Sequence, residues 1–147
     1  RAGLKVLLIE RGRFPGEKNV SGGVIYGQIL NELVPEFWNE APVERHIKRR
    51  IITFLTEESG ISLTFESSKF DFPPYLGFSI LRAKFDRWLA QKAVDAGAIL
   101  ATELLVENLI IESGQVVGVK VGGDEIRSNV VVAADGVLSK ISQQLCV

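Results

Sequence analysis

Val6-Leu7-Leu8-Ile9-Glu10 is the stretch that decides the fold class: four consecutive apolar residues closing on an acid, with Arg11-Gly12 directly after it. An apolar run without alternation is the pattern of a strand buried on both faces of a parallel sheet. Such a strand is reached through a crossover helix, and Ala2-Gly3 reads as the end of one, with Gly3 at the helix stop. The chain opens on Arg1 and contains no Met, so it is expected to be an internal piece of a longer protein. At the other end, Ile126 and residues 130–134 feed a second buried strand that stops at Asp135-Gly136, followed by a short helix from about Leu138. A parallel sheet is expected at these two ends only.

Between them the periodicity changes. Arg11 to Gly16 and Ser21-Gly22-Gly23 form a glycine-rich stretch that reads as a long loop, and loops of that length usually have a task. A short helix is expected over 26–34, stopped by Pro35, then an irregular basic segment up to Arg50. Residues 51–56 and 61–66 alternate around Glu57-Glu58-Ser59-Gly60 as a β-hairpin. Pro73-Pro74 breaks the chain before a strand over 75–81. Residues 83–96 place Phe85, Trp88, Leu89, Lys92, Ala93 and Ala96 at helical spacing, with Gly97 at the stop and Trp88 as a core anchor. Strands over 98–101, 104–112 and 116–121 follow. The fold class is therefore mixed α/β.

A chain of 147 residues suits about one domain with its own core. A content of 46% hydrophobic and 24% charged residues, with a mean hydropathy of +0.19, excludes a disordered tail. Seventeen basic against 18 acidic residues give a net charge of −1, which excludes nucleic-acid binding driven by bulk phosphate neutralisation. The single cysteine, Cys146, excludes an internal disulfide, a cysteine-ligated zinc and an iron–sulfur cluster within this chain, and fits a reducing compartment. No apolar run approaches the ~20 residues of a membrane span. A cytoplasmic location is expected, with peripheral attachment to the cytoplasmic membrane as its variant.

Several residues have two readings. An acid where Glu10 stands, at the end of a strand, accepts hydrogen bonds from ribose hydroxyls in dinucleotide-binding folds; it is equally an ordinary strand-end charge. Ser21-Gly22-Gly23 could bring backbone amides close to a phosphate or an isoalloxazine ring, or form a plain turn. Asp135-Gly136 lies where ligands bind open α/β sheets, or makes a turn for geometry alone. Arg82, ahead of Asp86, is either a solvated charge or a guanidinium held for an anionic or heterocyclic group. His46, within Glu44 to Arg50, reads as part of a solvated basic loop rather than a catalytic imidazole. Phe37-Trp38 reads as packing, and Cys146 receives no role.

KVLLIERG (5–12), NVSGG (19–23), LRAKFDRWLAQKAVDAGA (81–98) and VVAADGVLSK (131–140) occur in the order and spacing of a known group. The sequence resembles the FixC and electron-transfer-flavoprotein–quinone oxidoreductase family, and more distantly the geranylgeranyl reductases and the aromatic-ring flavin hydroxylases. Residues 19–50 look like FixC in particular.

The resemblance implies part of a Rossmann-like FAD/NAD(P)-binding domain with a β-sheet substrate domain: residues 1–50 and 83–147 in the former, 51–82 in the latter. It implies FAD as cofactor. Glu10 would hold the ribose, Ser21, Gly22 and Val24 would lie along the flavin side, and Arg82 matches the arginine of an RxxFD signature that contacts FAD. Val106 falls where the family recognises adenine through the backbone, and Asp135 and Gly136 match a fingerprint near the pyrophosphate. No residue is assigned to acid–base catalysis, because the cofactor carries the redox chemistry. The family's GxGxxG turn does not occur in this chain, so the isolated chain is expected to lose FAD on purification. The implied activity is electron transfer from an electron-transfer flavoprotein towards a quinone or related acceptor, with a ferredoxin-like subunit as a further partner. The alternatives are a FAD-dependent geranylgeranyl-type reductase, for which a cysteine would be expected where Ser21 stands, and a non-catalytic docking fragment using the patch from Arg45 to Arg50.

Overall fold

The computed structural model describes residues 3–145; the expectations for Ala2 and Cys146 lie outside the described residues. Among the described residues ten strands and three α-helices are interspersed, so the mixed α/β class is observed. The residues divide into two units, Gly16–Lys92 and the pair Arg1–Pro15 with Ala93–Val147.

The unit Gly16–Lys92 is built on a three-stranded antiparallel sheet. β2 (Gly22–Tyr26) and β3 (Val43–Ile47) flank a central β6 (Gly77–Leu81), with Gly22 opposite Leu81 and Val24 opposite Ser79. Along β2 the burial alternates, Gly23 and Ile25 facing in, Gly22, Val24 and Tyr26 facing solvent. The inner face rests on α1 (Gly27–Leu33), on the 3-10 turn Phe37–Asn39 and on the first turns of α2 (Arg82–Asp95). Phe37 is wholly buried and meets Trp38 and Phe78 edge-on at 5.3 and 5.4 Å, the preferred geometry for aromatic pairs. Packing is the reading the sequence favoured for Phe37-Trp38. Trp88 is only half-buried, against Phe85 at 5.4 Å. The hairpin forms as β4 (Arg49–Leu55) and β5 (Gly60–Glu66) in continuous register.

Two expectations fail in this unit. Gly22-Gly23 is strand, not loop: a Cβ on Gly22 would lie 2.9 Å from the Ile80 carbonyl oxygen, so the missing side chain is what lets β2 close on β6. The segment before Arg50 is not irregular. Glu44, Arg45 and His46 are exposed residues of the edge strand β3, and a polar edge strand lacks the alternation by which strands are read.

In the other unit, β1 (Leu7–Ile9) pairs in parallel with β7 (Ile99–Ala101), the parallel pairing expected near the start of the chain. β8 (Val106–Glu112), β9 (Gln115–Val121) and β10 (Asp124–Arg127) make an antiparallel meander. Its core is Leu109, Val119, Val121 and Ile141, the last from α3 (Lys140–Gln143). Gly97, at a φ of +103°, ends α2 where the sequence places the stop.

Burial on both faces is not observed for the two apolar runs. With a single partner strand, Leu7 and Leu8 remain 40% and 39% exposed. Residues 130–134 form no strand: Val131 packs on the core while Val130 and Val132 stay 75% and 81% exposed. An apolar run is buried on two sides only when neighbours cover both, and among the described residues no strand pairs with 130–134.

Candidate functional site

The eight residues singled out from the sequence fall into two groups of four, one in each unit. In the unit Gly16–Lys92, Ser21, Gly22 and Arg82 gather at one end of the β2–β6 ladder. Gly22 pairs with Leu81, the last residue of β6, and Arg82 is the next residue and the first of α2. Strand passes to helix without a connecting residue, so the arginine is held where two regular elements meet. Val24 stands two residues along the same solvent face of β2.

The Arg82 guanidinium is clamped. Nε donates to Asp86 Oδ1 at 2.7 Å and Nη2 to Asp86 Oδ2 at 2.8 Å, a bidentate pair one turn apart on α2. The hydrogen bond to Asp86 raises the arginine pKa further above its already high value. Two of the five N–H donors are used in this way. The stem of Arg82 runs over Gly23, where a Cβ would sit 3.7 Å from Arg82 Cδ.

Sequence reasoning missed two residues here. Asn19 donates from Nδ2 to Asp86 Oδ2 at 2.5 Å. Gly16 has a φ of +87°, and a Cβ on it would lie 2.9 Å from Asp86 Cβ and 3.0 Å from the Arg82 carbonyl oxygen. Pro15-Gly16 is a turn signal that could have pointed to the positive φ; the contact with α2 bridges nearly 70 residues of sequence and leaves no local trace.

In the other unit Glu10 follows β1 directly. Its carboxylate Oε1 accepts the Gly12 amide at 2.6 Å. Backbone bonds tie the same loop to the β7–β8 connection: Glu10 N–H to Ala101 O at 2.9 Å, Leu104 N–H to Glu10 O at 3.1 Å and Glu103 N–H to Gly12 O at 2.9 Å. Val106 opens β8 two residues beyond Leu104, opposite Val121. Glu10, at the carboxyl end of β1, is thereby bonded to Leu104, two residues before Val106.

Asp135 and Gly136 serve first as a capping turn. Ser139 Oγ donates to Asp135 Oδ1, and Ile141 N–H reaches Oδ2 at 3.4 Å. The Ser139 hydrogen bond holds the Asp135 carboxyl below the usual carboxylate range. Gly136 has a φ of +93° with open space where a Cβ would be, so its backbone conformation, not crowding, selects glycine. His46 lies 5.2 Å from the Tyr75 ring as an exposed edge-strand residue. Among the described residues no cluster of metal-ligating side chains occurs, and no helix is long and apolar enough to cross a membrane.

No protein-family model matches the chain. Against curated proteins it is 42% identical over 145 residues to FixC of Escherichia coli K12, covering 99% of this chain and 34% of FixC. Over its whole length the chain is similar to FixC. It is also 43% identical over 145 residues to YdiS of the same organism, described as a probable electron transfer flavoprotein-quinone oxidoreductase, with the same coverage of each chain. The chain spans about a third of the length of these relatives. Among solved structures, a geranylgeranyl bacteriochlorophyll reductase-like protein from Thermoplasma acidophilum superposes with a TM-score of 0.70 at 30% identity, covering 91% of this chain and 34% of that one. A myxobacterial chondrochloren halogenase, described as a variant of FAD-dependent halogenases, gives 0.71 at 22% identity over 96% of this chain and 34% of the other; at that identity the likeness concerns the fold. The FixC-like resemblance carried by the four quoted motifs thus extends through the segments between them.

Proposed function

We propose that this chain is part of a FAD-dependent oxidoreductase that passes electrons from an electron-transfer flavoprotein towards a quinone or related acceptor. The observation that carries the reading is the 42% identity to FixC across 99% of the chain, and the quinone oxidoreductase description of YdiS supports the electron-transfer role. A ferredoxin-like subunit belongs to the same reading on resemblance alone, as does the assignment of 1–50 and 83–147 to a FAD-binding domain and 51–82 to a substrate domain.

The residues present suit a flavin dinucleotide, group by group. Glu10 offers an acceptor-only carboxylate held in place by Gly12, suited to ribose hydroxyls. The start of β8 at Val106 offers backbone groups for adenine. Asp135 and Gly136 supply a tight turn, held by Ser139 and the Ile141 amide and with Gly136 at a positive φ, whose backbone could approach a pyrophosphate. In the other unit Ser21 directly precedes β2, and Gly22 and Val24 lie in β2 where it pairs with β6 just ahead of the clamped Arg82; these three would lie along the flavin side, and Arg82 would contact FAD. FAD, when bound, supplies the redox chemistry; the protein groups supply position and electrostatics.

The test uses the full-length protein. Purified, it should carry flavin absorption, and reduced electron-transfer flavoprotein should bleach that absorption until a quinone restores it. A colourless protein that takes up no FAD from solution would refute the cofactor. A second reading, a FAD-dependent reductase of prenyl double bonds, is favoured by the 30% identity to the Thermoplasma structure. Saturation of a geranylgeranyl chain by the reduced protein, without response to the flavoprotein, would select it.

A further inference from the structure

Asp86 accepts from two separate parts of the chain. Arg82 supplies two bonds from within α2, and Asn19 supplies a third at 2.5 Å from the segment that precedes β2. Asn19 is itself fixed: its backbone N–H donates to Gly16 O at 3.0 Å, and Gly16 packs so closely on the first turn of α2 that a Cβ would fall 3.1 Å from Ala83 Cα. Residues 16–19 therefore form a strap across the start of the helix. An Arg–Asp pair on one helix face can swing together as the carboxylate changes rotamer, because both partners ride on the same backbone. A third donor from a different segment removes that freedom and sets the carboxylate plane, and with it the plane of the guanidinium. The donor is a neutral amide, which completes the carboxylate without drawing it away from Arg82 as an ammonium would.

We infer that Asn19 is a positioning residue for Arg82: through Asp86 Oδ2 it fixes the plane in which the arginine presents its remaining N–H groups. The inference rests on the reading that Arg82 meets FAD. Asn19→Asp is the decisive variant, since it keeps size and shape but replaces the donor by an acceptor that repels Asp86.

Two measurements on the full-length protein test it. In the apoprotein, labelled with 15N-arginine, hydrogen exchange at Arg82 Nε–H should become several-fold faster in Asn19→Asp and Asn19→Ala. In flavin titration, Asn19→Asp should bind FAD about tenfold more weakly, the effect of losing roughly one hydrogen bond's worth of orientation, while the apoprotein melts within a degree or two of the parent. Unchanged Nε–H exchange in both Asn19 variants overturns the inference. If Arg82→Lys weakens FAD binding but Asn19→Asp does not, the positioning role fails and the cofactor reading stands. If Arg82→Lys leaves FAD affinity unchanged, the contact between Arg82 and FAD fails, and the inference with it.

Discussion

The Gly12 amide donates to Glu10 Oε1 at 2.6 Å, so the carboxylate at the end of β1 is oriented by its own loop. That bond makes a side chain at a strand terminus into a fixed acceptor, and it separates two effects that a simple deletion would merge.

Glu10→Ala in the full-length protein should weaken FAD binding by roughly 1.5–3 kcal/mol, the scale of a hydrogen bond to a charged group. Glu10→Gln should lose less, because its amide oxygen still accepts from Gly12. Titration of both apoproteins with FAD measures the difference; equal affinity in Glu10→Ala and parent would make Glu10 a surface charge only.

Arg82→Lys should lower cofactor affinity while the melting point of the apoprotein hardly moves. An ammonium lacks the planar fork that meets both oxygens of Asp86, yet the pair lies at the surface with Arg82 44% exposed, where such bridges contribute within ~1 kcal/mol. Melting and flavin titration on the same variant read both quantities.

Gly16→Ala and Gly97→Ala both place a Cβ on a residue of positive φ, +87° and +103°, at a cost of about 1–2 kcal/mol. Only Gly16 adds a collision, 2.9 Å to Asp86 Cβ, whereas Gly97 meets nothing within 4 Å. Urea unfolding should show Gly16→Ala to be the more destabilised, and a reversed order would remove the strap from the fold's supports.

Asp135 is held below its ordinary pKa by Ser139. A carboxylate depressed in the folded state contributes stability that is fully present above the unfolded pKa, near 3.9, and is lost as pH falls through the lower folded value. Ser139→Ala should return the Asp135 titration, followed by NMR, towards the ordinary carboxylate range and remove that contribution. A midpoint that does not rise in Ser139→Ala would dissociate the shift from the hydroxyl.

Local patterns were legible wherever one element satisfies its own rules. The hairpin of β4 and β5 follows from alternation around a turn, and α2 from Phe85, Trp88 and Ala93 at helical spacing with Gly97 beyond them. β3 was illegible because the neighbour that makes Glu44, Arg45 and His46 a strand is β6, more than 30 residues away. Gly22-Gly23 carried the opposite signal, since glycine punctuates loops in sequence but here permits a close pairing with Ile80 and Leu81.

By itself the sequence determined the α/β class, the parallel start at Leu7 to Ile9, the hairpin of β4 and β5 and the long helix, because period and turn residues are local quantities. It also marked Glu10, Arg82 and Asp135 through the company of their nearest neighbours. Only the tertiary structure decided that a strap anchored at Gly16 and Asn19 crosses the Arg82–Asp86 pair, that Glu10 is tied to the β7–β8 connection, and that residues 130–134 form no strand. The physical reason is the same in each case: a hydrogen bond or a covered face needs a partner, and these partners lie tens of residues away or are missing among the described residues.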